Sequence, residues 1–124
     1  MSDCIFCNID QSRIIDSNEF FYVIRDIYPV TELHTLIIPH RHISSYFDLT
    51  EDDQISLFTL LKSHKEQLLK TDPSITGFNI GVNDGEDAGQ TIFHCHIHLI
   101  PRRKGDVENA RGGVRGVIPE KQSY

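Results

Sequence analysis

No apolar run in this chain approaches the roughly 20 residues that a helix needs to cross a bilayer, so no membrane span is expected. The opening MSDCIFCNID has neither the charged nor the apolar region of a signal peptide, and a cytoplasmic location is the expectation. Cysteine is scarce, with three in 124 residues. In a reducing compartment that argues against structural disulfides, and it gives Cys4 and Cys7 a metal or redox reading instead. Positive charge is scarce too, but only over residues 1–101, which hold six Lys/Arg against fifteen Asp/Glu; residues 102–124 hold six against three. The body should repel nucleic acid, while the tail should attract phosphate.

Internal repeats, low-complexity segments and Gly/Ser linkers are absent from the first hundred residues. A chain of this length buries one modest core. The expectation is a single domain, with residues 1–104 as the functional unit and 105–124 as its basic, glycine-containing extension.

RIID and EFFYVIRD read as the two strands of a hairpin turned at Ser17 and Asn18, because aromatic and β-branched residues crowd the second segment. HTLIIP, GFNIGVN and TIFHCHIHLIP read as three further strands, the first ended by Pro39. One helix lies between them. Thr50 is placed to cap it, Glu51, Asp52 and Asp53 sit at its positive end, and Leu57, Leu61, His64 and Leu68 make a stripe at helical spacing. Together these predict an α+β fold, an antiparallel sheet with a long helix on one face.

The segment HCHIHLI carries three of the seven histidines, at positions 94, 96 and 98. On a helix they would scatter, since alternate residues lie about 200° apart. On a strand they line one face about 6.6 Å apart, while Cys95, Ile97 and Leu99 anchor the other face in the core. Two chemistries suit such a row. Neutral imidazoles can bind zinc or another divalent metal, or one imidazole can attack phosphorus while its neighbours donate to phosphate oxygens and the leaving group. The preceding GVNDGEDAGQT, with Gly81, Gly85 and Gly89 among Asn83, Gln90 and Thr91, suits a loop that brings amides and hydroxyls close to an anion, and it favours phosphorus.

AGQTIFHCHIHLIPR resembles the active-site stretch of the histidine-triad (HIT) superfamily of nucleotide hydrolases and transferases. CIFCNI, VIRDIYPVTELHTLIIPHRHI and GVNDGEDAGQ follow that family's order and spacing, so the resemblance spans nearly all of residues 4–103. It implies a HIT-like five-stranded antiparallel sheet with one long helix, a short N-terminal helix and pairing into a homodimer. It also implies that His96 is the nucleophile toward an α-phosphate, with His98 and His34 on the same phosphate. Asn83, Gln90 and Thr91 match positions that bind phosphate or leaving group, Asp26 one that binds ribose hydroxyls, and Ile5, Phe6, Ile9, Ile24 and Ile27 an apolar clamp around a purine base.

CIFC resembles the zinc-binding members, whose ligands align to Cys4, Cys7, His42 and His94, with His40 as the rival of His42. A closed set of two cysteines and two histidines implies a structural zinc. His64 is read as a residue at the border of the core. The basic tail resembles that of members acting on dinucleoside polyphosphates, and Arg111 and Arg115 are expected to reach distal phosphates. The function implied is hydrolysis of a dinucleoside polyphosphate or a nucleoside phosphoramidate through nucleotidyl-His96. Its rivals are a transferase or phosphorylase of the same chemistry, a nucleotide-binding adaptor, and a metal-dependent hydrolase.

Overall fold

The structure is a computed structural model and describes residues 3–124. Five strands form one antiparallel sheet in the order β1-β2-β3-β5-β4, with β1 at Asp16–Ser17, β2 at Phe21–Arg25, β3 at Thr35–Pro39, β4 at Ile75–Gly81 and β5 at Ile97–Arg103. A single long helix, α1 at Glu51–Thr71, joins β3 to β4. The α+β architecture expected from the sequence is the one observed.

The hairpin turns where Asn18 Oδ1 accepts from the Phe20 and Phe21 amides at 2.9 and 2.8 Å. Its first strand is shorter than RIID, because Gln11–Arg13 coil into a 3-10 turn capped by Asp10, whose side chain accepts from the Ser12 amide. Among the described residues, that turn and the turn at residues 5–8 stand where a short N-terminal helix is expected. Thr50 caps α1 in a reciprocal box, its hydroxyl accepting from the Asp53 amide and Asp53 accepting from the Thr50 amide.

Strand alternation divides the apolar residues between the two faces of the sheet. Phe21, Val23, Ile37, Cys95 and Ile97 pack against Leu57 and Leu60 of α1, and Leu99 and Ile75 against Leu68. Tyr22, Ile24, Leu36 and Ile38 face the other way and are covered by Phe6 from the N-terminal segment. Tyr22 fixes that cover, since its hydroxyl donates to the Phe6 carbonyl. The buried helical stripe is Leu57, Leu60, His64 and Leu68, with Leu61 at its border.

The last strand begins later than the sequence pattern suggests. Residues 91–96 lie outside the ladder and β5 starts at Ile97. The physical reason is Pro39, which ends β3 without an N–H to continue the pairing past Ile37↔Ile97. The Cys95 amide bonds the Ile43 carbonyl at 2.7 Å instead, and residues 92–94 bend ahead of the strand.

His64 is 2% exposed and bonds Asp16 Oδ2 through Nε2 at 2.8 Å. It therefore ties the helix to β1 across the sheet edge, more deeply buried than a border residue. Replacing it with Ala removes that bond and opens a cavity, and should lower unfolding free energy by about 2 to 4 kcal/mol. Urea titration of wild type and His64→Ala would measure the difference, with a small change arguing that the pair is incidental.

Candidate functional site

Cys95, Ile97 and Leu99 are each 1% exposed in the core beneath α1, which turns His94, His96 and His98 to the opposite face. The neighbouring strand completes the row, because Leu36 pairs with His98 and His34 stands just before β3. Ring centroids of His96 and His98 are 5.2 Å apart, and those of His34 and His98 5.1 Å.

Fixed backbone partners assign the tautomers. The His94 carbonyl can only accept, so His96 Nδ1, 2.8 Å away, carries the proton and Nε2 keeps its lone pair. The Val30 amide can only donate, so His34 Nδ1, 3.0 Å away, is an acceptor and the proton sits on Nε2. That proton goes to His98 Nδ1 at 2.9 Å, which leaves His98 with Nε2–H as a donor. The row thus holds one bare nitrogen nucleophile beside one N–H donor, the pair that attack at phosphorus requires.

Asp26 lies behind this chain, with Oδ2 3.6 Å from His34 Nε2 and Oδ1 accepting from the Tyr28 amide. Asp26, His34 and His98 would also bring three metal-ligating atoms together. His34 opposes that use. Its Nδ1 lone pair is engaged by Val30, so Nε2 presents a proton to the group.

A second cluster joins Cys4, Cys7, His42 and His94. Burial of His94 is complete, and its Nε2–H donates to the Pro39 carbonyl at 2.8 Å, so bare Nδ1 points into the cluster. From it, Cys4 Sγ, Cys7 Sγ and His42 Nδ1 lie at 3.5, 3.6 and 3.2 Å, and Cys7 Sγ is 3.2 Å from His42 Nδ1. A tetrahedral zinc with bonds of about 2.3 Å to sulfur and 2.0 to 2.1 Å to nitrogen would space its ligands by about 3.3 Å between nitrogens, 3.6 Å between nitrogen and sulfur and 3.8 Å between sulfurs. The donor set therefore fits zinc. His40 is elsewhere, its Nε2 bonded to the Asn18 carbonyl at 2.9 Å.

A family model described as HIT domain matches residues 8–105. The chain belongs to the HIT domain family. It is 36% identical over 107 residues to a HIT-like protein of Mycoplasma pneumoniae, covering 82% of this chain and 72% of that one. An asymmetrical bis(5'-nucleosyl)-tetraphosphatase of Schizosaccharomyces pombe is 40% identical over 81 residues, 65% of this chain but 44% of that enzyme. Among solved structures, a zinc-bound histidine triad family protein from Mycobacterium smegmatis superposes with a TM-score of 0.78 at 33% identity, covering 87% of this chain and 81% of that one.

Other predicted residues of this HIT chain divide by burial. Ile5 and Ile27 expose 56% and 62% of their surface and are open to a ligand, and Asn83 and Thr91 are exposed as well. Ile24 is fully buried and Phe6 nearly so, which makes them the floor of an apolar surface, with Ile9 packed at its margin. Gln90 is also buried. Its Oε1 accepts from the Gly85 amide, and its Nε2 donates to the carbonyls of Ser44 and Ile92. With both amide hydrogens spent, the Gln90 side chain braces the loop and has no donor left for a phosphate.

Sequence reasoning missed the groups that set the histidines. They are the Val30 amide and the carbonyls of Pro39 and His94, which no side-chain pattern reveals. It also missed Leu33, whose φ of 72° is left-handed for a branched side chain. The bend lets the His34 amide close back on the Thr31 carbonyl at 3.1 Å and swings the ring toward His98. Only glycine would have signalled that turn in the sequence.

Burial lowers the pKa of His34 and, aided by the charges of His96 and His34, that of His98 to about 4. Between that value and the ordinary 6.5 or so of an unfolded histidine, the unfolded chain binds more protons. Stability is then fully present above about pH 6.5 and declines as pH falls toward 4. Thermal melts should show a shallower decline over that range in His98→Asn than in wild type; parallel profiles would refute the assignment.

Proposed function

We propose that this protein hydrolyses a dinucleoside polyphosphate or a nucleoside phosphoramidate at the nucleoside α-phosphate, through a covalent nucleotidyl-His96. The observation that carries the reading is the His96–His94 carbonyl bond, which leaves Nε2 unprotonated at the exposed face of the row. That nitrogen forms the N–P bond while the bond from phosphorus to the leaving group breaks, P–O in a polyphosphate and P–N in a phosphoramidate. A polyphosphate departs as an anion and needs no proton, whereas the nitrogen of a phosphoramidate takes one from solvent and departs as an amine. His98 Nε2–H donates to a non-bridging oxygen as charge builds there, and His34 holds His98 in that tautomer. Water then attacks phosphorus and gives up a proton to solvent, the N–P bond breaks, and nucleoside monophosphate leaves with His96 restored.

In this reading Asp26 accepts from the ribose hydroxyls, and Ile5 and Ile27 close on the base over the Phe6 floor. Asn83 and Thr91 donate toward the phosphate or the leaving group. Cys4, Cys7, His42 and His94 would hold a structural zinc, which supplies no reacting group and pins the N-terminal segment to the sheet. Among the described residues no strand lies beside the outer edge of β4 in the sheet, and a second copy pairing there would make the homodimer. Residues 1–104 form the catalytic unit, with 105–124 as its extension, working in the cytoplasm.

His96→Ala should abolish turnover while nucleotide affinity stays within about tenfold, because the attacking atom is lost and few ground-state contacts go with it. Rapid quench of wild type with α-labelled dinucleotide should trap protein-bound label that His96→Ala lacks. Substantial turnover by folded His96→Ala would overturn the covalent route. Adding phosphate separates a hydrolase from a phosphorylase, which would release nucleoside diphosphate.

Protein purified without chelator should contain about one zinc per chain, measured by elemental analysis. Cys7→Ser should lower both the zinc content and the melting temperature. Zinc-free wild type of unchanged stability would leave the cysteines as free thiols.

A further inference from the structure

Residues 106–124 lie beyond the family match and fold into a closed knot. Arg115 Nε donates to the carbonyls of Lys121 and Gln122 at 3.1 and 3.3 Å, and Gln122 Nε2 reaches the carbonyls of Asn109 and Arg111. The guanidiniums of Arg111 and Arg115 lie 4.9 and 4.7 Å from the centre of the Tyr124 ring. Gly112, at φ +89°, permits the closure, since a Cβ there would stand 1.7 Å from the Gln122 carbonyl oxygen. The two arginines expected on distal phosphates pack on Tyr124 within the tail.

What the knot turns toward the histidines is apolar. Val114 and Val117, 66% and 78% exposed, line a groove of about 520 Å³ together with Ile100, Asn83, His34 and His98. Gly81, paired with His98 across β4 and β5, adds room, because a Cβ on it would meet nothing within 4 Å. Arg102 also borders the groove, but its charge is spent. Nε and Nη2 donate to the two Asp106 oxygens at 2.8 Å, and Nη1 to Asn79 at 2.7 Å. A groove with apolar walls, a neutralised cation and an exposed amide suits a nucleoside better than a polyphosphate.

The opposite flank of the row is apolar as well, with the Phe6 ring centroid 5.0 Å from that of His96. Resting on the hydrolase reading, we infer that the tail groove binds the second nucleoside of a dinucleoside polyphosphate, the one that departs with the leaving group. The Phe6 side holds the nucleoside that is transferred. The phosphate chain crosses the histidines between them.

The test compares diadenosine tetraphosphate with adenosine 5'-tetraphosphate, which lacks only the second nucleoside, in wild type and Val114→Ser/Val117→Ser. Both valines are exposed, so the fold should tolerate the change. Wild type should prefer the dinucleotide, and the ratio of kcat/KM values should fall about fivefold in the variant as apolar contact is lost. An unchanged ratio, or a wild type without preference, overturns the inference and leaves the hydrolase reading standing. Light scattering on the same samples covers the other occupant. If the variant dissociates an oligomer, the groove is a subunit interface and the inference fails. Turnover of neither substrate by wild type would overturn the polyphosphate half of the hydrolase reading, and this inference with it, while leaving phosphoramidate hydrolysis standing.

Discussion

Three atoms of His94 are committed to three different parts of the molecule, and the site depends on that division. Nε2 donates to Pro39 at the end of β3, Nδ1 faces Cys4, Cys7 and His42, and the backbone carbonyl receives His96 Nδ1–H. A residue with no exposed surface thereby couples the sheet, the N-terminal segment and the reactive imidazole. The tautomer of His96 and the direction in which its lone pair points both follow from that geometry. Disturbing the cysteine side of His94 would reach His96 through one ring and one peptide unit.

The sheet supplies the rest by alternation. Each core residue beneath α1 fixes the facing of the histidine beside it, so packing energy spent on Cys95, Ile97 and Leu99 also aligns the reactive row. His34 enters from the adjacent strand through a left-handed Leu33, a backbone strain of the kind that persists only where the surroundings hold it. Its buried ring then transmits the direction of the Val30 amide to His98. The result is an asymmetric pair, one nitrogen that can attack and one that can donate, made from two chemically identical side chains.

The same economy explains the flanks. An apolar surface built from the N-terminal segment lies on the His96 side, and a tail of different sequence character forms another beside His98. Basic composition alone suggested that the tail would reach for phosphate. Arg111 and Arg115 instead stack on Tyr124, and Arg115 also bonds two backbone carbonyls, because a short segment must satisfy its own polar groups.

The sequence by itself determined the facing of the histidines, the helix with its Thr50 cap, the succession of strands and helix along the chain and the resemblance to the HIT family. These rest on local periodicity and on residue types at fixed spacing, which survive without knowledge of the fold. It left open whether His40 or His42 joins the cysteines, since two histidines two apart on an irregular segment have no period to separate them. Only the tertiary structure decided that, together with the late start of β5, the inward use of Gln90, the burial of Ile24 and the turning of the tail arginines. Each of these depends on a backbone amide or carbonyl, or on a partner distant in sequence, and a pattern of side chains carries no record of either.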